Sequence, residues 1–333
     1  MSARSRDLLS ASLIGAGIMG AGELFFACRA STLAMGSYWK DWFDREKYFS
    51  GSNAILTAHG SMASLRNDVL LVSADASIVS TTSILWTNNE CHMVGMFPAG
   101  GGRGGRARIS QSGNFTPLMA ASGYGCLFHN MHFMYGAGST ANENIIINTG
   151  TRNIYTNCHI ACYNATELLG ASFSMVQLSE ELGDIEVTFN KCFFGSESLK
   201  SSGPGCHIEY AGNSTIKAFY NDCNFVMQAS SASAVFIRVA AGAGKGTSIF
   251  KNTTFINNSS TKCTVGIASS GLVNTGHQFY FDANSYFAGV TDVCNEAEES
   301  YVMFAPAAHV ASTIGELDSV YTGHAMPVTH TSG

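Results

Sequence analysis

A short phrase that returns about every thirty residues constrains the fold of this chain more than any other feature. The phrase begins with an aromatic residue, continues with two residues that often include Asn and then a small residue, and closes on a second large apolar residue. The leading aromatic residues are spaced by 27, 34, 31, 30 and 31 positions, and they are Phe128, Tyr155, Phe189, Tyr220, Phe250 and Phe281. Such a period indicates a repeat architecture, in which each unit packs only on its neighbours.

The hydrophobic pattern within each unit indicates strands. Apolar residues alternate with period two, and Pro is scarce in a chain that is rich in Gly and Phe. Between successive phrases lies another strand-like segment, for example residues 206–210 and 234–239. Each period therefore holds about three short strands joined by turns. The sequence predicts an all-β fold, a right-handed parallel β-helix with three strands per coil.

Stacked coils bring equivalent side chains to about 4.8 Å from each other, which is the spacing of paired strands. We therefore expect the leading aromatic residues to form an internal column. We expect a second column of small side chains, made by Cys158, Cys192, Cys223 and Thr253. Short polar residues in the phrase belong at a turn, where they bond the backbone and tolerate left-handed geometry; these are Asn130, Asn157, Asp222 and Asn252.

The repeat divides the chain into three parts. Residues 1–60 form an N-terminal arm or anchoring segment, residues 61–305 the parallel β-helix, and residues 306–333 a C-terminal extension. The ten cysteines include no CxxC pair, and a chain of this length does not need disulfides, so we expect reduced, buried thiols. The net charge is −6 and no long basic run occurs, which argues against nucleic acid as a partner. The densest basic spot is Arg103, Arg106 and Arg108.

The N-terminal arm carries a glycine motif that resembles the dinucleotide fingerprint of 3-hydroxyacyl-CoA dehydrogenases. Gly15, Gly17 and Gly20 fit the spacing G-x-G-x-x-G. The fingerprint requires a strand before it and alternating strands and helices after it, and neither pattern occurs here. We expect no cofactor and no metal, and we interpret the arm as an anchoring segment. Its candidate anchoring residues are Leu13, Ile14, Ile18, Met19, Phe25, Phe26, Trp39 and Trp42.

The same stretch bears on membrane insertion and export. Glu23 and Arg29 interrupt the apolar residues, and glycines weaken them as a helix, which argues against a membrane span. Arg4 and Arg6 precede the apolar residues, so a signal peptide is an alternative.

Several segments of the chain resemble a known family. They are residues 67–69, 84–87, 91–95, 107–109 and 122–126, followed by the phrases that begin at 128 and 155. They look like the pectin-lyase-like β-helix proteins encoded by tailed bacteriophages, and the resemblance covers about residues 60–305. It implies a virion component, either decorating the capsid or forming a spike, and frequently trimeric. It is specific for the fold and only suggestive for the role.

Together these features predict a structural virion protein rather than an enzyme. We expect a capsid decoration or cement protein that binds the outer shell, with the major capsid protein and other copies of itself, as a homotrimer, for partners. It would be assembled in the host cytoplasm and located on the capsid surface. The alternative is a tailspike or secreted enzyme that degrades polysaccharide, and a third option is a spike that only binds glycan. A carboxylate pair for glycan cleavage would be sought in the densest acidic group, which is Glu180, Glu181, Asp184 and Glu186.

Overall fold

The computed structural model describes residues 22–32, 40–41, 43–96, 106–111, 115–135, 144–162, 166–167, 173–180, 183–201, 205–213, 215–269, 276–305 and 309–311. In these ranges short strands follow one another around three sheets, and every strand pair is parallel. Most strands pair with their equivalents one coil earlier and one coil later. The chain is therefore a parallel β-helix with three strands per coil, as the repeat predicts.

Sheet A has 11 strands among the described residues and contains the leading aromatic residues. In spatial order its strands are β2 (Tyr48–Ser50), β1 (Leu24–Cys28), β3 (Val69–Val72), β6 (His92–Gly95), β9 (Leu127–His129), β12 (Asn153–Thr156), β16 (Ile185–Asn190), β19 (Ile216–Asn221), β22 (Gly246–Lys251), β26 (His277–Phe281) and β29 (Val302–Phe304).

Sheets B and C form the other two faces. Sheet B contains β30 (His309–Ala311), β27 (Tyr286–Ala288), β23 (Thr254–Asn257), β20 (Asn224–Ala229), β17 (Phe193–Ser201), β13 (His159–Cys162), β10 (Met131–Tyr135), β7 (Ala107–Gln111) and β4 (Ile78–Ser80), with β14 (Thr166–Glu167) beside β17. Sheet C contains β25 (Ile267–Ser269), β21 (Val235–Val239), β18 (Cys206–Gly212), β15 (Ser174–Glu180), β11 (Asn144–Asn148), β8 (Met119–Ala121) and β5 (Ile84–Trp86). A separate pair is formed by β24 (Cys263–Val265) and β28 (Val290–Asp292). The described ranges include the α-helix α1 (Ala54–Ser61) and the 3-10 helix η1 (Glu296–Tyr301).

The corner between sheets A and B explains why the phrase places a polar residue before a small one. The chain turns sharply there through a residue with left-handed backbone geometry, and φ is 57° at Asn130, 51° at Asn157, 55° at Asp222 and 49° at Asn252. Asn and Asp adopt this geometry at lower cost than other side chains that carry a Cβ. The coil between Asn157 and Asp222 uses Lys191 instead, with φ of 53°.

Two aromatic columns fill the interior. In sheet A the rings of Phe128, Tyr155, Phe189, Tyr220 and Phe250 follow one another at centroid distances of 4.7, 4.9, 5.1 and 4.4 Å, with planes within 16° of parallel. The column continues through Phe281 and Phe304. The second column, in sheet B, consists of Phe194, Phe225, Phe255 and Phe287. Because all these rings are almost completely buried, they supply much of the apolar surface that folding removes from water.

The solenoid extends beyond both boundaries that the repeat suggests. Strand β1 pairs with β3 in sheet A, so the first coil begins before residue 61. Helix α1 places Ala54, Ile55 and Ala58 in the main core. An uncovered first coil would expose its apolar interior to water, and terminal units of repeat folds are therefore atypical. At the other end β30 pairs with β27, so residues 309–311 of the expected extension belong to sheet B.

Candidate functional site

The cysteine column lies inside the solenoid, one residue after the corner. The thiols of Cys158, Cys192 and Cys223 donate to the backbone carbonyls of Phe128, Tyr155 and Phe189, each at 3.3 Å. In the next two coils the hydroxyls of Thr253 and Ser285 donate in the same way, to the carbonyls of Tyr220 and Phe250. The position therefore requires a small donor that reaches the preceding coil.

No disulfide joins the thiols of this column. All ten cysteines are buried, as the sequence predicts, and the structure has no disulfide among them. Burial raises the pKa of Cys192 well above its usual range, and it raises the pKa of Cys206 to about 12. A raised pKa keeps these groups as neutral thiols, whereas the reactive form of cysteine is the thiolate. The structure therefore supports a packing role for this column.

A polar network is also enclosed in the core. The Ser248 hydroxyl donates to the Tyr210 hydroxyl at 2.7 Å and lies 3.0 Å from His277 Nε2. The Tyr210 and Tyr220 hydroxyls are 3.0 Å apart. The side chains of Ser248 and His277 have no exposed surface, so this Ser-His pair cannot meet a substrate in the folded chain. Burial lowers the pKa of His277 to about 4, and the imidazole is therefore neutral at physiological pH.

The candidate anchoring residues are placed differently from the expectation. Phe25 and Phe26 belong to β1 and are 2% and 0% exposed. Phe25 points into the core. Phe26 packs on the outer face of sheet A between Phe43 and Tyr48, and its ring centroid lies 5.6 Å from each of theirs. They are therefore not available as anchors, because adjacent residues of a strand face opposite sides and both sides are covered here. The other candidates, Leu13, Ile14, Ile18, Met19, Trp39 and Trp42, lie outside the described residues.

The outer face of sheet A carries a mostly apolar row that sequence reasoning missed. Each residue that precedes a column aromatic points outward, and pairing places these residues in one line from coil to coil. We call this line the sheet A ladder, and its members are Ile154, Thr188, Phe219, Ile249, Tyr280 and Met303. Ile154 is 40% exposed, and the other members are partly exposed. The signal in the sequence is that the outward neighbour of most column aromatics is also apolar.

The first coils bury the continuation of the same line. Leu127 is the register partner of Ile154, and Leu24 is the register partner of Val69. These residues belong to an apolar cluster that also includes Phe43 and Tyr48. Val69 has no exposed surface. The chain's own N-terminal segment thus packs on this face near the first coils, whereas the sheet A ladder is partly exposed in the later coils.

The outer face of sheet B carries a row of basic and imidazole side chains. Arg108, His132 and His159 are register partners on three successive strands. The imidazoles of His132 and His159 stack with centroids 4.3 Å apart and planes 11° from parallel. Arg106 lies at the same corner, where its Nε donates to the Asn157 carbonyl oxygen at 2.7 Å and its Nη2 donates to Asn157 Oδ1 at 2.8 Å. We call Arg106, Arg108, His132 and His159 the sheet B basic cluster.

The acidic group that a glycan-cleaving enzyme would use is only partly described. Asp184 and Glu186 are exposed near the start of β16, Glu181 lies outside the described residues, and for Glu180 the structure describes the backbone alone. Within the described part of the chain no group of three or more His, Cys, Asp or Glu side chains could hold a metal ion. No helix of that part is long and apolar enough to cross a membrane.

No protein-family model, curated protein or solved structure matches this chain. The assignment of the fold therefore rests on the strand pairing and the repeat, and the assignment of a role rests on the surfaces described above.

Proposed function

We propose that this chain is a structural protein of a bacteriophage particle, a trimeric decoration protein on the outer capsid shell. The observation that carries the proposal is the sheet A ladder. Monomeric proteins rarely expose large contiguous apolar patches, and such patches mark sites where another protein packs. The resemblance of residues 60–305 to phage β-helix proteins supplies the biological setting.

The partner on the ladder is a second copy of the same chain. Three copies arranged side by side around an axis parallel to the solenoid would bring equal coils to equal height, so apolar residues would meet apolar residues. Polar side chains flank the ladder in register. Glu186, Lys217 and Thr247 lie on one side, and the other side carries Asn190, Asn221 and Lys251.

The flanking residues suit this arrangement because one side of a copy would face the opposite side of the next. At equal height Glu186 would meet Asn190, Lys217 would meet Asn221, and Thr247 would meet Lys251, so no like charges would be opposed. An apolar centre with a polar rim is also the usual anatomy of a protein interface.

The oligomeric state of the full chain tests the interface. We expect light scattering coupled to size-exclusion chromatography to give three times the mass of one chain for the wild type. For the double variant F219E/I249E we expect the mass of a single chain. Leu85→Glu is the matched control, because Leu85 is an apolar residue, 52% exposed, on a strand of sheet C. A monomeric wild type, or a double variant that is still trimeric, would refute the proposed interface.

The position in the particle is tested separately. We expect quantitative mass spectrometry of purified particles to give a copy number comparable with that of the major shell protein. A few copies per particle would favour the tailspike alternative, and absence from particles would overturn a virion role.

Shell binding is assigned to the residues before the first coil. Deletion of residues 1–21 leaves β1 intact, whereas a longer deletion that includes Leu24–Cys28 would remove a strand of sheet A. We expect the shorter deletion to abolish binding to particles while the circular dichroism of the solenoid is retained. Retained binding would show that the anchor lies elsewhere.

A further inference from the structure

The sheet B basic cluster gathers positive charge without a matching carboxylate. Arg108 is exposed and Arg106 is partly exposed. Among the described residues, no carboxylate lies within ion-pair distance of either guanidinium group. This contrasts with Arg66, which binds Asp68, and with Arg238, which pairs with Glu209 on sheet C.

Arg106 is held in place by Asn157, at the corner two coils further along the solenoid. Its contacts with the carbonyl and the side chain of Asn157 occupy Nε and Nη2, and Asn157 in turn donates from Nδ2 to Asn130 Oδ1 at 2.9 Å. A guanidinium group carries five N–H donors, so several of them stay available in a fixed orientation. A positioned guanidinium with spare donors is well suited to bind the oxygens of an anion.

His132 contributes a polar atom that lacks a partner. Its Nε2 is buried and makes no hydrogen bond to any described residue, whereas His159 Nε2 lies 2.9 Å from the Gly195 carbonyl. Buried polar atoms are rarely left unsatisfied, so an unmatched one calls for a partner such as a water molecule or an ion.

The electrostatics of the cluster point the same way. Burial lowers the pKa of His132 to about 2, and the charges of His159, Arg108 and Arg106 act in the same direction. Burial also lowers the pKa of His159, and both arginines add to that effect. The charged and titratable described groups that act on these imidazoles are thus all basic. A negative charge placed among them would stabilise their protonated forms.

We propose that the sheet B basic cluster binds an oxyanion, such as a phosphate, sulfate or carboxylate group. The guanidinium groups of Arg106 and Arg108 donate to its oxygens, and the His132 imidazole donates a further hydrogen bond from Nε2. No covalent bond forms or breaks. The site lies on sheet B, and it does not depend on the trimer interface assigned to sheet A.

Inorganic phosphate is the first probe, added to the full chain while the imidazole resonances are followed by long-range ¹⁵N–¹H NMR. We expect phosphate to shift the resonances of His132 and His159 selectively and to raise their pKa values. Arg108→Gln should weaken binding by about tenfold, because one charge-assisted hydrogen bond is worth about 1.5 kcal/mol. Arg108 is exposed, so this substitution should leave the fold intact. The matched control is Lys262→Gln, which removes an exposed cation from the segment between β23 and β24, away from both proposed surfaces.

Sulfate and acetate distinguish the chemical sources of the anion. A stronger response to acetate than to phosphate or sulfate would identify a carboxylate as the bound group. The proposal is overturned if about 50 mM phosphate leaves both histidines unchanged, or if Arg108→Gln binds as tightly as the wild type. It is also overturned if Lys262→Gln weakens binding equally, which would indicate general attraction by surface charge. Selective shifts caused by Zn²⁺ in the absence of any phosphate response would replace the anion site with a metal site.

Discussion

Acidification should destabilise this solenoid, and His277 provides the clearest test. The imidazole is completely buried beside Ser248 and Tyr210, and its pKa is about 4 in the folded chain, against an ordinary value of 6.5. In the unfolded chain the same group regains the ordinary value. Between about pH 6.5 and pH 4 the unfolded chain therefore binds a proton that the folded chain does not.

The sign and size of the effect follow from proton linkage. Stability falls as pH falls wherever the unfolded state holds more protons, with a slope of about 1.4 kcal/mol per pH unit for one proton. A difference of about 2.5 pH units gives a total loss of about 3 kcal/mol for His277. Above the unfolded pKa the group has no effect, and below about pH 4 the loss levels off. His207 is equally buried with the same lowered pKa, so its contribution adds to this loss.

Urea unfolding followed by circular dichroism at several pH values between 7 and 4.5 measures this slope. We expect His277→Gln to reduce the slope by up to about 1.4 kcal/mol per pH unit relative to the wild type. Ser248→Ala is the matched control, because it removes a hydroxyl of the same network and retains the imidazole. The control should lower the free energy of unfolding and keep the slope. If His277→Gln shows the same slope as the wild type, the burial argument is wrong.

Three further predictions concern the packing of the coils, and each is measured as a change in the free energy of urea unfolding. Phe250→Ala should cost about 3–5 kcal/mol, because it opens a cavity in the aromatic column. The control Lys251→Ala, at the exposed neighbouring residue, should change stability by less than about 0.5 kcal/mol. Equal losses in the two variants would contradict the stabilising role of the column. Cys223→Thr should cost less than about 1.5 kcal/mol because Thr253 fills the same position in the next coil. Cys223→Leu should cost at least about 1–3 kcal/mol through overpacking. A larger loss for Cys223→Thr than for Cys223→Leu would contradict the packing role of this position. Asn252→Ala should cost about 1–2 kcal/mol because of the left-handed backbone at this position, and Asn252→Gly should cost less. Equal losses would instead assign the effect to the hydrogen bond with Asp222, which both variants remove.

The fold could be predicted from the sequence because one phrase encodes one corner. An aromatic residue, a residue that accepts left-handed geometry and a small donor recur together, and each has a separate physical reason to occupy its place. The first coil could not be predicted in this way, because β1 lacks the phrase. Phe25 and Phe26 then appear as unpatterned apolar residues, although each packs on a different side of sheet A.

The surfaces were harder to predict than the core. Strict alternation would make the outward neighbour of each column aromatic polar, but Ile154, Phe219 and Ile249 depart from that rule. The basic cluster joins residues from three coils, and Arg108 and His132 become neighbours only when the register of β7 and β10 is known. Coil lengths between the phrases vary, so the sequence alone does not fix that register.

The buried thiols make the stability of individual coils measurable. Each of Cys158, Cys192 and Cys223 is enclosed behind a carbonyl of the preceding coil. An alkylating reagent can therefore modify one of them only when two adjacent coils separate. Labelling followed by peptide mass spectrometry would give a separate opening rate at three successive levels of the native protein. It would thereby show whether the solenoid opens from one end or as a single unit.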